Sequence, residues 1–85
     1  MKNEQLRNFI KVVDCGSINK AAEQLYVSQP SLSRSIHSLE EEMGKELVIR
    51  SNRGVTLTPT GRLLYYYGAL NFRTVSSFRE IKEFK

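Results

Sequence analysis

The chain is punctuated for short helices. Gly16-Ser17, Ser28-Gln29-Pro30, Gly44 and Thr58-Pro59 set a helix stop or start every 12 to 16 residues through its first two thirds. A serine or threonine ahead of a helix accepts from free backbone N–H groups. Proline fits the first turn, where it has no hydrogen bond to lose, and glycine adopts the left-handed conformation that closes a helix. Before residue 58 no helix can therefore exceed about four turns, and several short elements must share one core. With 85 residues the chain is one small domain, against a usual size of about 100–150. A core of that size buries only about 60–65% of the unfolded surface, so association with an outside partner is expected to help hold it.

Apolar spacing fills in the blocks between the signals. Leu6, Phe9, Ile10 and Val13 make one stripe of a helix over residues 3–14,. Ala21, Ala22 and Leu25 form the inner side of a second helix from Ile18 to Leu25, where the two alanines permit close approach. Leu32, Ile36, Leu39 and Met43 line a third, from Gln29 to Met43. Opposite that last stripe stand Pro30, Ser31, Arg34, His37, Ser38 and Glu41, with Ser33 and Ser35 on its flanks. The exposed face of the third helix thus begins small, hydroxyl-rich and cationic and ends in Glu40-Glu41-Glu42. Two β-favouring runs, Leu47–Arg50 and Val55–Leu57, surround the polar Ser51-Asn52-Arg53-Gly54 and predict a hairpin with arginines at or beside its tip,. Thr58-Pro59 opens a fourth helix that, continued to the last residue, is about 40 Å long. On it Leu63, Tyr67, Leu70, Thr74, Ser77, Ile81 and Phe84 alternate 4 and 3 apart as a heptad seam, widened by Leu64, Asn71 and Phe78,.

Composition removes several function classes. One cysteine excludes an internal disulfide framework, and Cys15 with His37 does not make a zinc site by itself,. No apolar run is long enough to span a membrane, and Met1-Lys2-Asn3-Glu4 opens no secretory signal,. A cytoplasmic protein without metal or cofactor is expected. The 13 Lys and Arg exceed the 9 Asp and Glu by 4. From Leu47 to Arg79 there are five arginines and no acidic residue, while the remainder carries 8 basic and 9 acidic groups. Such a segment is either a solvated surface or one that faces a polyanion.

Two helices joined by a short turn, the second with a cationic polar face, form a helix-turn-helix, and an arginine-tipped hairpin makes it winged. A helix fits the major groove of duplex DNA, where arginine pairs with guanine O6 and N7. Free N–H groups at the start of the third helix suit a phosphate. The expected fold is mainly α: three helices and a short β-hairpin wing over residues 1–58, a winged helix-turn-helix, then a long linker helix over 59–85 that needs a partner helix to pack against.

The sequence also resembles the DNA-binding region of LysR-type transcriptional regulators. The resemblance runs through Leu6-Arg7-Asn8-Phe9, Gly16-Ser17-Ile18, Ala21 to Leu25, Val27-Ser28-Gln29-Pro30-Ser31-Leu32-Ser33-Arg34, Leu39 to Gly44, and Leu57-Thr58-Pro59-Thr60-Gly61. It implies a homodimeric, sequence-specific regulator of transcription that binds an inverted repeat. It also implies an effector-binding domain that lies outside this chain and would take the small-molecule effector. Gln29, Pro30, Ser31, Ser33 and Arg34 match the recognition-helix motif, Arg53 matches the wing arginine, and Ser17 to Lys20 match the start of the supporting helix. The residues expected to meet DNA are therefore Asn19, Lys20, Ser28, Gln29, Pro30, Ser31, Ser33, Arg34, His37, Arg50 and Arg53. Those expected at the dimer contact are Leu63, Tyr67, Leu70, Thr74, Phe78 and Ile81. The chain departs from the family pattern at His37, where Lys or Arg is commoner, at Val48-Ile49-Arg50, and at Tyr65-Tyr66-Tyr67.

Other readings of the same residues are a protein-interaction module worked by the fourth helix and a non-specific architectural binder. The latter needs an apolar wedge or a denser basic surface, and the sequence offers neither. Ser33 and His37, four apart, could pair as nucleophile and base, but no acidic orienter accompanies them, so no catalysis is expected.

Overall fold

The computed structural model describes residues 3–72. In chain order its elements are α1 (Asn3–Cys15), α2 (Ile18–Leu25), α3 (Gln29–Met43), β1 (Val48–Ser51), β2 (Gly54–Leu57) and α4 (Pro59–Phe72). The winged helix-turn-helix expected from the sequence is present. Each signal acts locally as anticipated: Ser17 Oγ accepts from Lys20 N at 3.2 Å, Ser28 Oγ from Ser31 N at 3.2 Å, and Thr58 Oγ1 from Gly61 N at 2.9 Å. Gly16 and Gly44 close α1 and α3 in the left-handed region, at φ of 69° and 71°.

Helix α1 is the centre of the molecule, touching α2, α3, α4 and β2. A helix covered on several sides needs a broader apolar face than a single stripe. Leu6, Phe9, Ile10 and Val12 are accordingly its buried residues, while Val13, expected on the stripe, is only partly buried. The core is completed by Ile18, Ala21 and Ala22 of α2, Leu32, Ile36 and Leu39 of α3, Leu47 and Val48, and Leu64 of α4. Met43, expected on the inward stripe, is 39% exposed. It sits in the last turn of α3, where Leu47 and Val48 close the core instead.

What brings Leu47 and Val48 in is Glu40. Its Oε2 accepts from Leu47 N at 2.8 Å and from Val48 N at 3.3 Å, satisfying two backbone donors at the entrance to β1. Glu40 is thus a fastening for the wing, although in sequence it is one of three consecutive glutamates on a solvated helix end. Glu40→Ala strands two partly buried N–H groups, which costs about 1–3 kcal/mol and lowers the melting temperature by roughly 5–20 °C. Glu41→Ala, an exposed neighbour, is the control and should shift stability by no more than about 0.5 kcal/mol. Thermal melts followed by circular dichroism distinguish the two.

The hairpin pairs antiparallel in the register Val48↔Leu57, Ile49↔Thr56, Arg50↔Val55 and Ser51↔Gly54, which leaves Asn52 and Arg53 at the tip. Val55 N, one pair from the tip, ties the hairpin to the end of α1 by donating to Gly16 O at 3.1 Å, and Thr58 N donates to Leu47 O at 3.1 Å across the base.

Helix α4 lays Gly61, Leu64 and Gly68 against this body. Leu64, expected to widen the outward seam, is 6% exposed and belongs to the core. The heptad reading put two adjacent leucines on one face. In the structure that face divides, with Leu64 inward and Leu63 outward. Thr74, Phe78 and Ile81, together with Ser77 and Phe84, lie outside the described residues. No helix among the described residues is long and apolar enough to cross a membrane.

Candidate nucleic-acid interface

Between α3 and β1 runs an open concavity of about 1030 Å³, lined among others by Pro30, Ser33, Arg34, His37 and Arg50. A smaller one, of about 260 Å³, lies where the starts of α2 and α3 meet the wing, and Asn19, Gln29, Arg50 and Asn52 line it. Arg50 borders both. Of the residues expected to meet DNA, the structure gathers seven around these two hollows. Lys20, Ser28, Ser31 and Arg53 line neither; Lys20, Ser28 and Ser31 are exposed in the first turns of α2 and α3, and Arg53 is exposed at the wing tip.

Arg50 earns its central place through a specific contact. Its Nη1 donates to Ser33 Oγ at 2.7 Å, so the wing's first strand is bonded directly to the recognition helix. Two further hydroxyls on the flank of α3 are engaged by α1: Asn8 Nδ2 donates to Ser35 Oγ at 3.1 Å, and Gln5 Nε2 to Ser38 Oγ at 3.1 Å. These bonds orient α3 about its own axis. Arg34, by contrast, is exposed and its guanidinium has no partner among the described residues. An arginine free to leave water for a base edge is the arrangement that direct readout requires.

The helix starts offer less to a phosphate than the sequence suggested. In the first turn of α3, Pro30 has no N–H and that of Ser31 is taken by Ser28 Oγ, which leaves the N–H of Gln29. At α2 the Lys20 N–H is likewise taken by Ser17 Oγ. The two positive helix ends nevertheless converge with Arg50 on the smaller hollow, and their fields add there. The far end of α3 has the opposite sign. Glu40, Glu41 and Glu46 line the larger concavity beyond His37, and the His37 ring nitrogens stand 3.8 Å from Glu40 Oε1 and from Glu41 Oε2. Only the first turns of α3 are electrostatically suited to a polyanion.

Sequence reasoning missed Tyr26. It closes α2 at φ 58°, the only non-glycine residue described with positive φ, and it is almost wholly exposed. Val27 N donates to Ala22 O at 3.1 Å, and this bond wraps the helix end. A tyrosine carries no sequence signal for such a turn, where glycine or asparagine is the usual residue.

A family model, the bacterial regulatory helix-turn-helix protein of the lysR family, matches residues 3–62. The chain belongs to the LysR family. Among LysR-family relatives, the nitrogen assimilation regulatory protein nac of Klebsiella aerogenes is 48% identical over 65 residues, covering 76% of this chain and 21% of that protein. The chain spans about a fifth of the length of the curated relatives it matches. Its fold is similar to that of the BenM DNA-binding domain in complex with catB site 1 DNA (TM-score 0.82, 38% identity, 98% of this chain and 93% of that one). It is similar also to the DNA-binding domain of CbnR in its DNA complex (TM-score 0.79, 33% identity, the whole of both chains). In a LysR-family domain the α2–α3 pair is the helix-turn-helix and the β1–β2 hairpin is the wing.

Among the described residues no group of three or more His, Cys, Asp or Glu could hold a metal ion. Cys15 is partly buried and packs against the core.

Proposed function

We propose that this chain is the DNA-reading and self-associating part of a LysR-type transcriptional regulator, with α3 entering the major groove and the wing reaching the flanking backbone or minor groove. The observation that carries the reading is Arg34, exposed on the N-terminal half of α3 without a partner among the described residues and flanked by a wing that Arg50 bonds to the same helix. Gln29, Pro30, Ser31 and Ser33 share that surface with Arg34, and His37 stands one turn further on. Asn19, Lys20, Ser28, Arg50 and Arg53 meet the phosphates or the minor groove on either side. Two copies joined through α4 and the residues after it present two such surfaces to an inverted repeat. A small-molecule effector acts through a domain outside this chain, and the protein works in the cytoplasm with its DNA. The role is binding, not catalysis: the sequence offered His37 no acidic orienter and the structure sets Glu40 and Glu41 beside it, but Ser33 Oγ is engaged by the Arg50 guanidinium and no His37–Ser33 bond forms.

Selection from random duplexes at moderate salt tests this reading. An interrupted inverted repeat is the expected product. Arg34→Ala should cost about 1–3 kcal/mol on that site and relax the choice at one base pair. Equal losses on specific and random DNA would refute base reading by Arg34. Binding that does not weaken with added salt would refute a phosphate-contacting interface altogether, because the slope counts released counterions.

A further inference from the structure

The two faces of α4 have different surroundings. Gly61, Leu64, Tyr65 and Gly68, spaced i, i+3, i+4, i+7, face the body of the domain. Leu63, Tyr66, Tyr67 and Leu70, at the same spacing, face outward. The inner contacts run antiparallel to α1: Gly68 lies against Ile10 and Leu6, whereas Tyr65 reaches the end of α1. There the Tyr65 hydroxyl donates to Asp14 Oδ1 at 2.6 Å. Gly61, held against the Leu47 backbone, marks the pivot of α4, whereas Gly68 permits close approach without specifying a tilt, because a bare backbone can slide over the aliphatic side chains of Ile10 and Leu6. A short hydrogen bond to a carboxylate is directional and stronger than a neutral one, so it selects one angle among those the glycine contacts allow.

We infer that the Tyr65–Asp14 bond is a clamp that fixes the tilt of α4 on the helix-turn-helix and thereby sets the half-site spacing accepted by a pair of these chains. The inference rests on the reading under Proposed function. The lever is long enough to matter. A 14-residue helix is about 21 Å long, so a change of roughly 10° at its base moves its far end by about 4 Å. That is close to the rise of one base pair, about 3.4 Å, and two protomers contribute to it. Tyr65 and Asp14 are positioning residues, acting through α4 and not through contact with DNA.

The experiment compares the 85-residue chain with Tyr65→Phe, Asp14→Ala and Asp14→Asn on duplexes whose half-sites stand at the selected spacing or one base pair closer or farther. In the parent chain the selected spacing is bound more tightly than its neighbours. Tyr65→Phe and Asp14→Ala should reduce that preference at least threefold, while affinity for the selected site stays within about twofold and the melting temperature falls by no more than about 5 °C. Asp14→Asn keeps an acceptor for the tyrosine hydroxyl and should retain most of the preference. A merely structural role would lower the melt and all affinities together. A spacing profile in Tyr65→Phe that matches the parent overturns the clamp while leaving DNA recognition intact. A parent chain that selects no sequence or no spacing overturns the proposed function, and the clamp with it.

Discussion

Gly61→Ala is expected to lower the melting temperature by roughly 12–24 °C. A methyl group built on Gly61 overlaps the backbone carbonyl oxygen of Leu47, with the carbonyl carbon also too close, at 2.8 Å. Neither partner can yield cheaply. That oxygen accepts from Thr58 N, and the N–H of the same Leu47 residue is held by Glu40. Gly61 N is itself bonded to Thr58 Oγ1. Moving the strand apart from the helix breaks the cap of α4, the base of the wing or both. The cost of overpacking at such a rigid point is about 3 kcal/mol, well above the fraction of a kcal/mol that alanine gains over glycine as a helix former. A domain of this length has only about 4–13 kcal/mol in total. Gly68→Ala is the informative companion, since its methyl meets the end of the Ile10 side chain, which can rotate away. It should cost clearly less. A melt for Gly61→Ala within about 5 °C of the parent would show that the wing base yields after all.

The contrast between Gly61 and the capping residues explains what could be read in the sequence. Ser17, Ser28 and Thr58 act on N–H groups three residues away, so the code and its effect lie in the same stretch of chain. Helix limits followed directly, and so did the hairpin, whose turn residues are contiguous. The exposed polar face of α3 was legible for the same reason: its residues are defined by their angle to Leu32, Ile36 and Leu39 within one helix. Functions that depend on meeting a distant segment were not legible. Glu40 looks like its two acidic neighbours until Leu47 N arrives beside it. Val12 outranks Val13 only because α1 is covered from several sides. Leu64 leaves the seam because α4 packs one side against α1 and turns Leu64 into the core. Arg50 was expected at the DNA surface from its place beside the hairpin tip, but its bond to Ser33 Oγ depends on how the wing packs beside α3. Tyr26 is the reverse case, a local conformation whose residue type hides it.

Leu70→Glu tests the outward face of α4 with the largest effect expected on DNA. Leu63, Tyr67 and Leu70 are 73%, 53% and 58% exposed, which is unusual for three large apolar side chains on one stripe of a small protein. Because Leu70 contributes little to the chain's own core, the substitution should lower the thermal melt only by what pairing adds to stability, a difference that shrinks as the parent is diluted. In a paired helix, however, it puts an unneutralised carboxylate into an apolar seam, which does not tolerate one. Sedimentation should then report a single chain where the parent sediments as two. Affinity for the inverted repeat should fall by about 10²–10⁴, the factor lost when two linked binding events become independent. Affinity for an isolated half-site, which needs only α3 and the wing, should hold. The pattern separates recognition from pairing within one molecule. An unchanged sedimenting mass would move the pairing surface away from Leu70. A monomer that still binds the full repeat at parental affinity would remove dimerisation from the account of DNA binding.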